Sequence, residues 1–276
     1  MTILMTFRLE QIIDEATQKL LAAIKAKEPA IVDKLIEYIA RMDSKGGNFM
    51  LSTMNETAVG LMDKYIQGVL TDLGLNKDIS EFVKSFDEAQ AYTLGIQKDI
   101  NGIVPPKDTL VKWRKYAIQA TVDNLIGNGL LANFAAPIRK ALGDAVYSDG
   151  SLTDVLRQVR ALAETVQGRE GNLLKYYTQV SRDAVGQYAG NVNRIVAKQY
   201  GLDAIEYVGS IVKDSRPQCI RWLDMEQILI KDLEKEIDWA AANGSGLIPG
   251  TTPDNFIVNR GGYNCRHEAI PVRSKK

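Results

Sequence analysis

The sequence predicts a mainly α-helical protein, in which an extended helical N-terminal body is followed by a small α+β domain at the C-terminus. Two observations lead to this prediction. Up to about residue 200, apolar side chains recur every three or four positions, as they do along one face of an α-helix. After Gly201 the pattern changes to short runs of β-branched and aromatic residues separated by Gly, Pro, Asn and Asp, which is typical of strands and turns.

The helical pattern of the first half divides into successive helices. The apolar stripe of the first helix consists of Leu9, Ile12, Ile13, Ala16, Leu20 and Ile24. Pro29 suits the first turn of a second helix. A third helix is predicted over 51–73 and a fourth over 79–100. Neither proline of the pair at 105–106 continues a helix from the preceding turn, so this pair is the predicted domain boundary, and the next helix begins near Asp108.

Two further helices precede the C-terminal domain. Ser151 is a suitable N-cap for the first of them, with the acidic Asp154 in its first turn. The second is a long helix over 173–200, which ends at Gly201. We therefore predict three parts: an N-terminal helical region over 1–104, a long-helix region over 105–200, and an α+β domain over 201–276.

The α+β domain begins with a strand over 205–212. A turn at 214–217 follows, in which Asp214 or Ser215 is expected to cap the short helix that holds Cys219. Next come a short strand at 227–230, a helix over 233–242, and a long loop rich in Gly, Pro and Thr that extends to about 256–258. This alternation after a helical body is the basis of the α+β prediction.

Composition limits the classes of function. The 276 residues contain 34 Lys and Arg and 34 Asp and Glu, and this balance argues against a protein that coats nucleic acid. The basic residues at 151–200 are expected to form a solvated face. Two cysteines indicate a reducing compartment. The apolar stretch at the N-terminus is too short for a secretory signal. No run of ~20 apolar residues predicts a membrane span, and the uncharged stretch 124–138 is expected to be a buried helical hairpin.

The segment 259–267 concentrates the rare residue types of the chain. Cys219, Cys265 and His267 are the candidate metal ligands, but no cofactor is predicted: the two thiols are expected to pack as small apolar groups beside a locally hydrogen-bonded His267. Two alternatives remain open, bound zinc and a Cys219–Cys265 disulfide. Structural zinc takes four ligands, so the fourth would be Asp214, another acid or water. No sequence motif for a nucleophile, a catalytic zinc site or a phosphate-binding loop is present, so no catalytic residue is predicted.

Four pieces of the C-terminal region follow one another in order. They are a lead-in helix from Tyr177 to Asn193, then Gly201-Leu202 with Tyr207-Val-Gly209, then 214–219, and finally 255–256 with 260–267 and 271–272. In this order they resemble the phage Mu F-like family of minor head proteins, also called the phage head morphogenesis domain. The motif residues that carry the resemblance are Ser215, Arg216, Arg260, Gly261, Gly262, Asn264 and Arg266. Residues 222–225 depart from the family, whose members commonly have a glycine-lysine turn there. The resemblance does not extend to residues 1–150.

The resemblance implies a minor structural protein of a tailed-phage head, present in few copies inside the capsid near the portal vertex and in the host cytoplasm during assembly. It implies the portal protein and other head proteins as partners, with packaged DNA as a further partner and a role in head assembly, genome packaging or delivery. The family supplies no established catalytic residues. Two other hypotheses stay open: a metal-dependent enzyme domain that uses Cys219, Cys265 and His267, and a DNA-binding packaging accessory protein.

Overall fold

The structure is a computed structural model that describes residues 2–105, 107–166 and 169–275. It is 69% helical, and its three-stranded sheet lies near the C-terminus, so the predicted fold class is confirmed. Within these described ranges, no helix is both long enough and apolar enough to cross a membrane.

Among the described residues up to 200, the elements are helices, apart from one small hairpin. In chain order they are α1 (Thr2–Ala40), β1 (Ser44–Lys45), β2 (Asn48–Phe49), α2 (Thr53–Asp72), α3 (Leu75–Phe82), α4 (Ser85–Asn101), α5 (Lys107–Ile126), α6 (Asn128–Leu130), a π-helical turn (Leu131–Ala135), α7 (Ala136–Tyr147), α8 (Leu152–Ala163) and α9 (Asn172–Tyr200). The elements that follow are β3 (Ala204–Val208), α10 (Pro217–Leu223), β4 (Ile228–Leu229), a 3-10 turn (Ile230–Asp232), α11 (Leu233–Asn243), α12 (Phe256–Asn259) and β5 (Glu268–Val272).

The chain forms two compact units. The helical unit comprises Gln18–Phe82 and Gln119–Val180, and the C-terminal unit comprises Met1–Thr17, Val83–Ile118 and Ser181–Lys276. The predicted domain boundaries after 104 and after 200 fall in or beside the segments that follow α4 and α9. The division into three domains stays a prediction.

In the helical unit, side-chain hydrogen bonds fix the start of α2. Ser52 caps this helix by accepting a hydrogen bond from the amide of Asn55. The fully buried Asn55 side chain donates to the carbonyls of Asp43 and Met50, which flank the β1–β2 hairpin. Because buried polar groups need partners, this amide fixes the hairpin against the helix. Ser151 likewise caps α8 through the amide of Asp154, as predicted.

The prediction of two helices that meet at Pro29 is wrong, because α1 continues through this proline. Proline removes one intrahelical hydrogen bond and disfavours a continuous helix. On both sides of Pro29, however, the apolar stripe is buried: Ile24, Ile31, Leu35 and Ile39 are each no more than 2% exposed. Burial of one continuous stripe outweighs the local cost of the proline.

The single helix predicted over 79–100 is two helices, α3 and α4, separated by a turn at 83–84. Phe82 ends the buried face of α3, and Phe86 begins the buried face of α4. The amides of Phe86 and Asp87 donate to the carbonyls of Val83 and Lys84, so the turn supplies its own hydrogen bonds. A run of apolar residues at helical spacing does not show such a break.

The C-terminal unit is built on an antiparallel sheet with the strand order β4-β3-β5. The register pairs Ala204 with Val272 and Val208 with Glu268, so the end of β3 lies beside the start of β5. On one side of β3, a buried core forms around Trp222, which is fully buried and has the rings of Tyr207 and Phe256 as edge-on neighbours. This core holds the short helices against the sheet.

The loops of this unit differ from the sequence predictions in two places. The strand predicted over 205–212 ends at Val208, because Gly209 adopts a φ of 149° that leads the chain away from the sheet. The predicted cap by Asp214 or Ser215 is also wrong: Arg216 is the N-cap residue of α10 and its side chain makes no capping bond. The Ser215 hydroxyl instead accepts from the amide of Val212, which closes the preceding turn.

Candidate metal centre

Two parts of the C-terminal unit bring the predicted metal ligands together. Cys219 lies on α10, and Cys265 and His267 lie in the loop that leads into β5. The potential ligand atoms of these three residues all lie within 4.8 Å of one another, and all three side chains are buried. Asp214, which the sequence suggested as a fourth ligand, does not belong to this group.

A fourth polar group lies in the cluster. The hydroxyl of Tyr207, on β3, is 3.3 Å from the Cys265 Sγ and 3.6 Å from the Cys219 Sγ. The Cys265 Sγ is in turn 3.6 Å from the His267 Nδ1. The rings of Tyr207 and His267 stack with their centroids 5.4 Å apart. We call Tyr207, Cys219, Cys265 and His267 the sulfur cluster.

The two thiols differ in their proton affinity. The hydrogen bond between them holds the pKa of Cys265 well below its usual value, against the effect of burial, with further help from His267 and Arg260. The same hydrogen bond, together with burial, raises the pKa of Cys219. Cys219 is therefore the proton donor of the pair and Cys265 the more acidic partner. Burial also raises the pKa of Tyr207.

The loop 260–267 reaches the cluster because glycine allows close backbone contact. A methyl group at Gly261 would overlap the Cys219 Sγ and lie 2.9 Å from the Tyr207 hydroxyl. The next glycine, Gly262, has a φ of 111° and lies against the backbone of Gly246. Both positions therefore exclude a side chain, which agrees with the interpretation of this pair as a site of close approach.

Two side chains at the start of α10 donate hydrogen bonds to carbonyl groups of this loop. Arg216 donates to the carbonyls of Gly261, at 3.2 Å, and Tyr263, at 2.5 Å. Gln218, which is fully buried, donates to the carbonyls of Gly261 and Ser245. Arg216 and Gln218 are two positions apart, so one turn of chain supplies both donors. The motif residue Arg216 thus has a structural contact with the motif residue Gly261.

The remaining motif residues shape the two ends of the loop. Arg260 is 3% exposed, has a φ of 51°, and donates to the carbonyl of His267. Asn264 also has a positive φ of 55°, and its backbone N–H donates to the Asp183 carboxylate at 2.7 Å. Arg266 is 3.4 Å from the carboxylate of Glu10 on α1. Positive φ is uncommon for residues other than glycine, so the fold constrains this loop strongly.

Sequence reasoning missed the residues on α9 that receive the loop. A methyl group at Gly186 would overlap the Arg260 guanidinium, and one at Gly190 would lie 2.6 Å from the carbonyl of Ile257. The two glycines are one helical turn apart and face the segment 257–260. Their spacing inside a helical pattern was the available signal, because an interior glycine weakens a helix unless packing requires it.

The burial of the cluster bears on its chemistry. Cys219, Cys265 and His267 are 2%, 8% and 4% exposed. A thiolate acts as a nucleophile only where a substrate reaches it. In this arrangement the backbone at Gly261 covers the sulfur atoms, so the geometry suits a group that holds the loop in place more than one that attacks a substrate.

Comparisons with protein-family models, with curated proteins and with solved structures found no match to this chain.

Proposed function

We propose that the protein is a minor structural protein of a tailed-phage head, located inside the capsid near the portal vertex and acting in head assembly. One observation carries the proposal: the four sequence pieces that resemble the Mu F-like family meet around one loop. The lead-in helix contributes Asp183, the strand contributes Tyr207, and the 214–219 turn contributes Arg216 and Cys219. All of them contact the piece at 260–267.

This convergence supports the resemblance because it gives the motif residues a common physical role. Residues that shape one loop and its receiving surface are expected to occur together and in order, since changing one of them disturbs the others. Isolated motif matches on separate surfaces would have no such reason to occur together. The four pieces are therefore consistent with one small domain that is characterised by the loop 260–267, which we call the closing loop.

Exposed apolar side chains near the start of α5 support a role in binding other proteins. Ile100, Val104, Val111 and Tyr116 lie within one stretch of the C-terminal unit, and Val111 and Tyr116 are 63% and 66% exposed. These side chains are near one another in sequence, and exposed apolar side chains favour protein contact. We propose that this stretch contributes to docking on the portal protein or on another head protein, with packaged DNA as a secondary partner.

Mass spectrometry of purified particles of the phage that encodes the chain tests the proposal. The protein should be present in few copies, should be protected from protease added to intact particles, and should cross-link to the portal protein. Deletion of the gene should yield defective heads. Absence of the protein from particles, together with normal heads after deletion, would refute the proposal.

A paired substitution tests the docking surface. The double variant Val111→Glu and Tyr116→Glu should lose co-purification with the portal protein. Leu51→Glu is the matched control, because Leu51 is 65% exposed but lies in the helical unit. Equal binding by both variants would remove the α5 stretch from the proposal, without removing the virion assignment.

A further inference from the structure

The sulfur cluster contains polar atoms that lack ordinary hydrogen-bond partners. The hydrogen bonds of the Tyr207 hydroxyl in the described structure are both to sulfur. The His267 Nδ1 also has sulfur as its partner. Sulfur is a weak hydrogen-bond partner. Burial of polar groups without good partners is unfavourable, so these atoms call for another explanation.

Three of the distances in the cluster are close to those of a tetrahedral metal site. For Zn²⁺ with bonds of about 2.3 Å to sulfur and about 2.0 Å to nitrogen or oxygen, neighbouring ligand atoms lie about 3.8 Å apart for two sulfurs and about 3.5 Å apart for mixed pairs. The three mixed pairs measured here are 3.6 Å from Cys265 to His267, 3.3 Å from Tyr207 to Cys265 and 3.6 Å from Tyr207 to Cys219. The distances from the Cys219 Sγ to the Cys265 Sγ and to the ligand nitrogen of His267 are within 4.8 Å.

We infer that Cys219, Cys265 and His267 bind one Zn²⁺ ion in a closed structural site, with the hydroxyl oxygen of Tyr207 in the fourth position. Both cysteines bind as thiolates and release their protons to solvent, whereas the imidazole and the phenol stay neutral. Two thiolates offset the two positive charges of zinc, so the ion adds no net charge to the buried core.

The elements that supply the ligands give the metal a structural role. Tyr207 comes from β3, Cys219 from α10, and Cys265 and His267 from the closing loop. One ion thus joins the sheet, the helix and the loop, which are distant in sequence. Because the site is buried, zinc is expected to enter during folding, and its binding free energy then contributes to the stability of the fold. This inference does not depend on the proposed role in a phage head.

Metal analysis of the untagged full chain tests the inference. Protein that is refolded under reducing conditions with Zn²⁺, then freed of unbound metal, should carry about one zinc per chain. Its Tm should rise with the zinc concentration during refolding. Refolding with Co²⁺ should produce a thiolate-to-cobalt charge-transfer absorption in the near ultraviolet and the intense visible bands of a tetrahedral complex. Folded protein with no metal and no dependence of Tm on zinc would overturn the inference.

Substitutions identify the ligands. Cys265→Ser and Cys219→Ser should lose both bound zinc and the cobalt charge-transfer band. Tyr207→Phe should alter the visible cobalt bands, because it replaces the fourth donor. Tyr188→Phe is the matched control, since Tyr188 is buried in the same unit but its hydroxyl bonds to Gln90. Zinc retained by both cysteine variants would overturn the site, and cobalt bands unchanged in Tyr207→Phe would remove Tyr207 as the fourth ligand.

A disulfide is the competing outcome. Mass spectrometry of alkylated protein, purified without reductant, distinguishes a Cys219–Cys265 bond from two free thiols. Zinc-loaded protein should have no such bond, because zinc binds both sulfurs as thiolates. A stoichiometric disulfide in metal-free protein would overturn the inference. The wild-type measurements of metal content and Tm keep the test valid where a cysteine variant does not fold.

Discussion

Glu268 makes the stability of the C-terminal unit depend on pH. This residue begins β5, and its side chain is 4% exposed. One carboxyl oxygen accepts a hydrogen bond from the Tyr92 hydroxyl at 3.2 Å, and the other has no partner among the described residues. Burial raises the pKa of Glu268 to about 8, although the Tyr92 hydrogen bond and the charge of Arg260 act in the opposite direction.

The sign of the effect follows from the proton balance. In the unfolded chain the pKa of this carboxyl is 4.5, so between pH 4.5 and about 8 the folded chain binds the proton that the unfolded chain has lost. The stability contribution is fully present below pH 4.5 and is lost as the pH rises to about 8. Each tenfold change in proton affinity is worth about 1.4 kcal/mol, so the whole step corresponds to about 5 kcal/mol.

Denaturant unfolding at pH 5 to 9, for wild type and Glu268→Gln, measures this step. All three tryptophans lie in the C-terminal unit, so their fluorescence reports its unfolding. The free energy of unfolding of wild type should fall relative to the variant by several kcal/mol across this range, since glutamine does not titrate. Glu234→Gln, at an exposed position on α11, should follow wild type. Parallel curves for wild type and Glu268→Gln would refute the argument.

Three further tests address separate parts of the fold, each by the change that a substitution causes in the free energy of unfolding. Gly261→Ala should destabilise the protein by about 3 kcal/mol, because the added methyl group overlaps the sulfur of Cys219. Gly95→Ala is the control and should stabilise by about 1 kcal/mol, because its added methyl group has no other atom within 4 Å. Equal effects of the two substitutions would contradict the close-approach argument. Tyr177→Phe should cost about 1.5 kcal/mol, because it removes a 2.5 Å hydrogen bond from a fully buried hydroxyl, and no loss would show that this bond contributes little. Ser151→Ala should cost about 1 kcal/mol through loss of the α8 cap, and Ser151→Asp should preserve stability.

The sequence predicted the helices well because their apolar stripes are long. The stripe through α1 and the cap at Ser151 are local signals that the structure retains. The errors occur where a local rule competes with packing. Pro29 suggested a helix start, but the buried stripe continues through it. The turn between α3 and α4 contains no glycine or proline, so nothing in the local sequence marks it.

The candidate site was predictable only in part, for a different reason. Cys219, Cys265 and His267 belong to rare residue types, so composition alone singled them out. Tyr207 did not stand out, because a tyrosine on a strand is ordinary in a protein core. Its place beside the two thiols depends on the β3–β5 register and on the position of α10, which are both long-range features. Glu268 was missed likewise, since its burial depends on that same register.

The concentration of unusual residues at 259–267 has a conformational cause that is independent of catalysis. Three of the five residues from 260 to 264 have a positive φ, namely Arg260, Gly262 and Asn264. Between them, at Gly261, the backbone passes the sulfur of Cys219, where a side chain is excluded. Backbone strain of this kind persists only where surrounding contacts hold it, and the carbonyl bonds from the α10 turn supply them.

A zinc ion in the sulfur cluster would add to this support at the point where the loop lies closest to α10. Loss of the metal should therefore free the loop first, while the helical unit retains its structure. Hydrogen exchange on zinc-loaded and zinc-free chain distinguishes this local effect from global unfolding: protection should fall at the amides of Gly262 and Cys265 and remain at Asn55. Uniform loss of protection in both units would instead show that the metal supports the whole fold, and unchanged protection in the loop would contradict its role there.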